Sequence, residues 1–246
     1  MTPTPEFRQH LRLAPALPKI MFQRWEQLLF LHWKMDPALI QKTLPEGLTV
    51  DTFDGHAWVA VVPFFMRGIR PRFLPAVPGI SDFLELNLRT YVHDARGRPG
   101  VWFYSLDCNQ ALAVWIARTF FHLPYQRARM SQQVSPDGGV TYTSQRLGED
   151  HTATFRYRLA QETREAEPGS LDFFLTERYL LFSQTPSGLR LGRVHHRPYP
   201  LSEVTLAAWD AQLFALNGLP VPATPPDHII GSAGVDVSIY PLQSIA

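Results

Sequence analysis

The chain has 246 residues, of which 45% are hydrophobic and 18% charged, a composition that suits a globular protein with ample material for a core. A formal net charge of +1 leaves no global electrostatic reason for a nucleic acid or an anionic membrane surface as partner. No window reaches the roughly 18 apolar residues of a spanning helix, and no basic segment precedes an apolar run at the N-terminus, so a soluble cytoplasmic protein is expected.

Residues 1–24 are punctuated by proline and read as an irregular arm over a single domain spanning 25–246. Gln27 to Met35 reads as a buried strand. Asp36 then supplies an N-cap and Pro37 a first helical position for a helix that Pro45-Glu46-Gly47 stops. Asp51 to Gly55 is a turn, and Ala57 to Met66 is a second strand forming a hairpin with the first. Arg67 to Gly79, with its arginines, prolines and glycines, is a long loop of the kind that shapes sites.

The next strand is the most informative segment. Strand side chains alternate, so Phe83, Glu85, Asn87, Arg89 and Tyr91 share one face, while Leu84, Leu86, Leu88 and Thr90 share the other. The leucine face is a core face. The opposite row of carboxylate, amide, guanidinium and phenol suits either the wall of a polar pocket or a solvated surface. Glu85 and Arg89 lie about 13 Å apart along it.

A turn at Gly97 to Gly100 leads to a partner strand, Val101 to Leu106, and Asn109 caps a helix from Gln110 to Phe121 with Leu112, Ile116 and Phe120 at helical spacing. Tyr142 to Arg146, Thr152 to Ala160, Tyr179 to Ser183 and Leu189 to His196 read as further antiparallel strands. Val204 to Leu216 reads as a third helix and Gly234 to Tyr240 as a terminal strand. The fold class is α+β, one large and mostly antiparallel sheet curled into a barrel or cone.

No phosphate-binding glycine loop, nucleotide fingerprint, nucleophile elbow or C-x-x-C is present, so no cofactor is expected. His195 and His196 point to opposite faces of a strand and cannot share an ion, and no other histidine spacing makes a metal site. Cys108, the only cysteine, excludes an intrachain disulfide and reads as core filler. Glu177 and Arg178 stand among bulky apolar residues and need partners. The plainer reading is an internal ion pair; the sharper one has Glu177 or Arg178 face the same cavity as Glu85.

The runs LFLHWKMDPALIQKTLPEGLTV, FLELNLRTYV, GVWFYSLD, FLTERYLLF, HHRPYPL and GVDVSIYP together resemble the YqjF-like family, which brings no established activity. That family is in turn similar to acetoacetate decarboxylase, through Met35 to Asp51, the carboxylate-bearing strand and Leu106 to Tyr125. The likeness implies a cone-shaped barrel with a closed cavity, and it implies for Glu85 the role of a cavity carboxylate. The decarboxylase's second cavity glutamate would fall near Trp58 to Ala60, where no acid stands. Its Schiff-base lysine would fall at Tyr125. Lys19, Lys34 and Lys42 are the only lysines and lie far from it in sequence. Iminium chemistry is therefore not expected.

Three functions are consistent with these residues. An enzyme would use Glu85 as acid or base, Arg89 as anion anchor and Tyr125 as hydrogen-bond donor on a small oxygenated or keto-acid-like compound. A non-catalytic binding protein would use the same cavity, with Phe83, Asn87, Tyr91, Trp102 and His32 among its contacts. A structural network would simply lock the barrel. The expected partner is a small molecule, with homo-oligomerisation left open.

Overall fold

A computed structural model describes residues 1–245. The elements in chain order are α1 (Pro5–His10), β1 (Met21–Met35), α2 (Pro37–Gln41), β2 (Leu48–Val50), β3 (Ala57–Pro71), β4 (Phe83–Asp94), β5 (Pro99–Cys108) and α3 (Ala111–Phe120). They continue as β6 (Tyr125–Val134), β7 (Gly139–Arg146), β8 (Ala153–Leu159), α4 (Leu171–Thr176), β9 (Leu180–Thr185) and β10 (Gly188–His195). The chain ends with β11 (Leu201–Ser202), β12 (Val204–Ala208), α5 (Gln212–Leu216), β13 (His228–Ile239) and β14 (Gln243–Ser244).

The sheet runs β5-β9-β10-β13-β1-β3-β4, and a β4–β5 pairing closes these seven strands into a ring. The sheet is mixed rather than a clean barrel. Its pairings are antiparallel except for β5–β6 and β5–β9, both parallel. One edge of β5 is shared: Val101 and Trp102 pair with β9, and Leu106 to Cys108 pair with β6. Gly100 permits the first contact, because a Cβ there would stand 2.7 Å from the Phe182 ring and 2.8 Å from the Leu180 carbonyl oxygen.

From β6 the sheet continues through β7, β8 and β12 as a flap folded over the outside of the ring. The Leu84, Leu86, Leu88 face of β4 therefore packs with Tyr142, Phe155 and Tyr157 of the flap. The opposite face of β4 looks inward with Trp58, Ala60, Val62 and Phe64 of β3. All 12 residues of β4 are buried, so the polar row is not a solvated surface.

Several local readings need correction. Val204 to Ala208 is a strand against β8, as its β-branched Val204 and Thr205 favour, and only Gln212–Leu216 is helical. Strand β6 has no apolar alternation and exists through its hairpin with β7. The first strand takes in Met21 to Arg24 from the arm, and the second continues to Pro71 into the supposed loop. Asn109 does not cap α3: its Oδ1 accepts the Leu84 amide at 2.9 Å, while the Gln110 side chain accepts from Leu112. The arm also holds a short helix, capped by Thr4, and is fixed to the body by Arg8–Asp51 at 2.7 Å and Arg12–Glu177 at 2.9 Å. No described helix is long and apolar enough to cross a membrane.

Candidate functional site

Inside the ring lies a cavity of about 380 Å³. Its deep wall carries Glu85 and Arg89 of β4, Tyr125 at the start of β6, Thr176 and Arg178 around the end of α4, and Tyr199. Toward solvent the wall becomes apolar. There it is formed by Leu112, Ala113 and Ile116 of α3 and by Leu74, Val77 and Ile80 of the segment following β3.

Glu85 and Tyr125 are brought together by the sheet register. Glu85 stands opposite Cys108, Leu106 stands opposite both Asn87 and Tyr125, and so one strand separates the pair. Tyr125 is placed by the way α3 ends. His122 adopts a left-handed φ of 52°, Pro124 prevents further helix, and the Arg118 guanidinium donates to the Tyr125 carbonyl at 2.6 Å. The Tyr125 hydroxyl then donates to Glu85 Oε2 at 2.5 Å. From outside the ring, Tyr142 fixes the Glu85 carbonyl at 2.8 Å.

Burial pushes the Glu85 carboxyl up from 4.5 to about 7, with the Tyr125 hydroxyl and Asn87 amide pulling partly back. Tyr125 is held well above the ordinary phenol range by its own burial and by the neighbouring carboxylate. A carboxyl near neutrality can both take and give a proton at physiological pH.

Arg89 is 9% exposed and forms no salt bridge among the described residues. Its Nε has no partner, and Nη2 makes one long contact of 3.5 Å to the Leu175 carbonyl. Arg178 is better satisfied, donating to Asp51 at 2.7 Å and to the Phe174 carbonyl at 2.6 Å, yet its Nη2 has no partner. Burial lowers its guanidinium to about 10 against the opposing pull of Asp51. Both readings of Glu177 and Arg178 hold in part: each is in an ion pair, Glu177 with Arg12 of the arm and Arg178 with Asp51, and Arg178 also lines the cavity.

The remaining sequence candidates divide. Phe83 lines the cavity. Asn87 is buried beside Glu85, with Oδ1 unpartnered, and does not reach the lining. Tyr91 and His32 lie in a layer behind it. His32 Nε2 is 3.0 Å from the Tyr91 hydroxyl, His32 Nδ1 is 3.0 Å from His228 Nδ1, and His228 Nε2 is 2.7 Å from Asp172. One tautomer set satisfies the whole chain, with protons directed from Tyr91 toward Asp172. Burial, then the His228 and Arg89 charges, keeps His32 well below its usual range, so it is a neutral link.

Trp102 does not line the cavity. Alternation counted back from Leu106 would turn it inward, but the β4–β5 ladder skips Tyr104, pairing Leu88 with Ser105 and Arg89 with Phe103. This bulge inverts the parity, so Val101 and Phe103 line the cavity and Trp102 packs outside with Tyr179 and Leu180. Burial drives the Cys108 thiol up to about 12, consistent with a packing role. Sequence reasoning missed Tyr199 and Thr176, whose types carry no signal. It also missed Asp51, read only as part of a turn.

No described group of three or more His, Cys, Asp or Glu side chains is arranged to hold a metal ion. No lysine is among the cavity's lining residues. Lys34 instead lies over the Trp58 ring and Lys19 over Phe22.

The mixed sheet closed into a ring of seven strands is an acetoacetate decarboxylase-like fold, as solved structures show. An acetoacetate decarboxylase-like enzyme from Sphingomonas wittichii RW1 matches with a TM-score of 0.61 at 18% identity, covering 95% of this chain and 98% of that one. Acetoacetate decarboxylase from Legionella pneumophila matches at 0.61 and 14% identity, covering 96% and 91%. The enduracididine biosynthesis enzyme MppR, with HEPES bound, matches at 0.62 and 15% identity, covering 94% and 88%. At such identities the likeness shows the fold alone. The chain belongs to the DUF2071 family, described as an uncharacterized conserved protein, which matches residues 22–236. It is 38% identical to the uncharacterized protein YqjF of Bacillus subtilis strain 168 over 242 residues, 98% of each chain.

Proposed function

We propose that the protein is an enzyme that moves a proton on a small oxygenated or keto-acid-like molecule held in the cavity. The observation that carries this reading is the Glu85–Tyr125 pair, a 3%-exposed carboxylate bonded to a buried phenol on a cavity wall. Glu85 takes a proton from a carbon beside a carbonyl. Once Glu85 is protonated it no longer demands the Tyr125 hydrogen, and the phenol turns its donor to the developing enolate oxygen. Return of the proton to a different atom completes an isomerisation, and departure of a β-hydroxyl as water, taking the proton that Glu85 holds, completes a dehydration. Arg89 holds an anionic part of the same molecule. The proposed route needs no iminium, and no lysine is among the residues that line the cavity. MppR has been captured with pyruvate, which is a keto acid. That likeness in fold lends support to the compound class only.

A second reading, a non-catalytic binding protein, is favoured by one feature: the mostly apolar outer wall gives capture without chemistry. Hydrogen–deuterium exchange separates the two. Ketones, keto acids and lactones are incubated with the protein in heavy water and followed by NMR. Catalysis predicts exchange beside a carbonyl that falls by about 10²-fold or more in Glu85→Gln. Exchange no faster than buffer for every compound, with binding retained, refutes the catalytic reading and leaves the binding one.

A further inference from the structure

The cavity is strongly polarised. Arg89, Arg178 and Tyr199 are 9%, 6% and 2% exposed at its deep end, whereas Leu74, Val77, Ile80 and Leu112 at the other are 59%, 47%, 42% and 42% exposed. Two observations on this axis are independent of each other. The first is a cation without a counterion. Three guanidiniums, of Arg8, Arg178 and Arg89, belong to the inner layer around Tyr91 and Phe174, and one carboxylate, Asp51, pairs with the first two. Arg89 is left with aromatic rings, 5.6 Å from the Phe30 centroid and 5.7 Å from that of Tyr91, and with an orphan Nε. A buried charge of this kind is costly unless an anion meets it.

The second observation is the path outward. From Arg89 the wall passes Glu85 about 13 Å along β4, then Phe83 a further ~7 Å on. Beyond Phe83 it is mostly hydrocarbon up to the exposed apolar rim, with Gln23 and Ser81 as polar exceptions. A short keto acid anchored on Arg89 would leave that length of apolar wall unfilled. Exposed apolar side chains continuous with an apolar interior are what an amphiphile needs in order to enter.

We propose that the ligand is an aliphatic carboxylic acid of medium chain length, its carboxylate on Arg89 and its chain running past Glu85 toward the rim between α3 and the segment following β3. This rests on the cavity reading above and deepens it, since Glu85 then addresses carbons remote from the carboxylate rather than those next to it.

The test is calorimetric titration with saturated straight-chain acids from two to twelve carbons, and with the matching primary alcohols. Affinity rises roughly fourfold per added methylene until the cavity is full. Arg89→Met weakens acids by more than about tenfold and leaves the alcohols unchanged. Should Arg89→Met not fold, Ile116→Trp on the apolar wall provides the second readout, moving the best chain length to shorter acids. A flat or falling dependence on chain length, or equal loss of acids and alcohols in Arg89→Met, overturns the proposal. The outcomes stay distinct from those of the exchange experiment. Chain-length-dependent binding without proton exchange keeps this inference and removes catalysis. Exchange on short keto acids without any gain from added methylenes does the reverse.

Discussion

Glu85→Gln should change how the stability of the protein depends on pH. In the folded chain the Glu85 carboxyl titrates at about 7, against an ordinary value of 4.5, because burial disfavours its charge. Below 4.5 the group is protonated whether the chain is folded or not, and the buried site costs nothing in ionisation. Between the two values the unfolded chain gives up its proton and the folded chain keeps it, so stability falls as pH rises. Above about 7 both forms are ionised and the loss levels off. Over that interval the loss is about 3 kcal/mol. Glutamine is nearly isosteric and does not titrate, so the variant escapes this term alone, while every other ionisable group cancels in the comparison. At roughly 2–4 °C per kcal/mol for a chain of this size, the Tm of Glu85→Gln relative to wild type should climb by about 6–12 °C between pH 4.5 and 8. Thermal unfolding followed by circular dichroism across that range measures it. Parallel curves of Tm against pH for the two proteins would refute the claim that Glu85 is buried with a raised carboxyl.

Two further expectations follow from single contacts. Tyr125→Phe removes the hydroxyl that stabilises the Glu85 carboxylate, so the carboxyl should rise above about 7 by a further ~1–2 pH units, read from its infrared carbonyl band during titration; a fall or no change would contradict the assigned bond. Asp51→Ala strips the countercharge from a fully enclosed Arg178 and also frees Arg8, which should cost about 3–5 kcal/mol in urea denaturation. A loss below about 1 kcal/mol would mean that Arg178 finds another partner or water.

What the sequence determined by itself was whatever depends on neighbours along the chain. The two-faced pattern of β4, the Asp36-Pro37 start of α2 and the positive φ of Asp54 and Gly55 are all local, and each has its physical cause in adjacent residues. The resemblance of the chain's motifs likewise pointed to the family and its fold. Glu85, Arg89, Tyr125 and Phe83 were recognisable as one group of candidates, and all four line the cavity. Tertiary structure decided the rest. Whether the polar row met solvent or an enclosed space depended on ring closure through β4 and β5 and on the flap that covers the leucine face. The bulge at Tyr104 turned Trp102 outward, a parity change that no count along the strand reveals. Strand β6 carries too little apolar periodicity to announce itself and takes its form from β7. Arg178 entered the site, and Glu177 left it, because Asp51 and Arg12 come from segments more than a hundred residues away along the chain. Which buried charge finds a partner, and which is left facing a cavity, is fixed only when such distant segments meet.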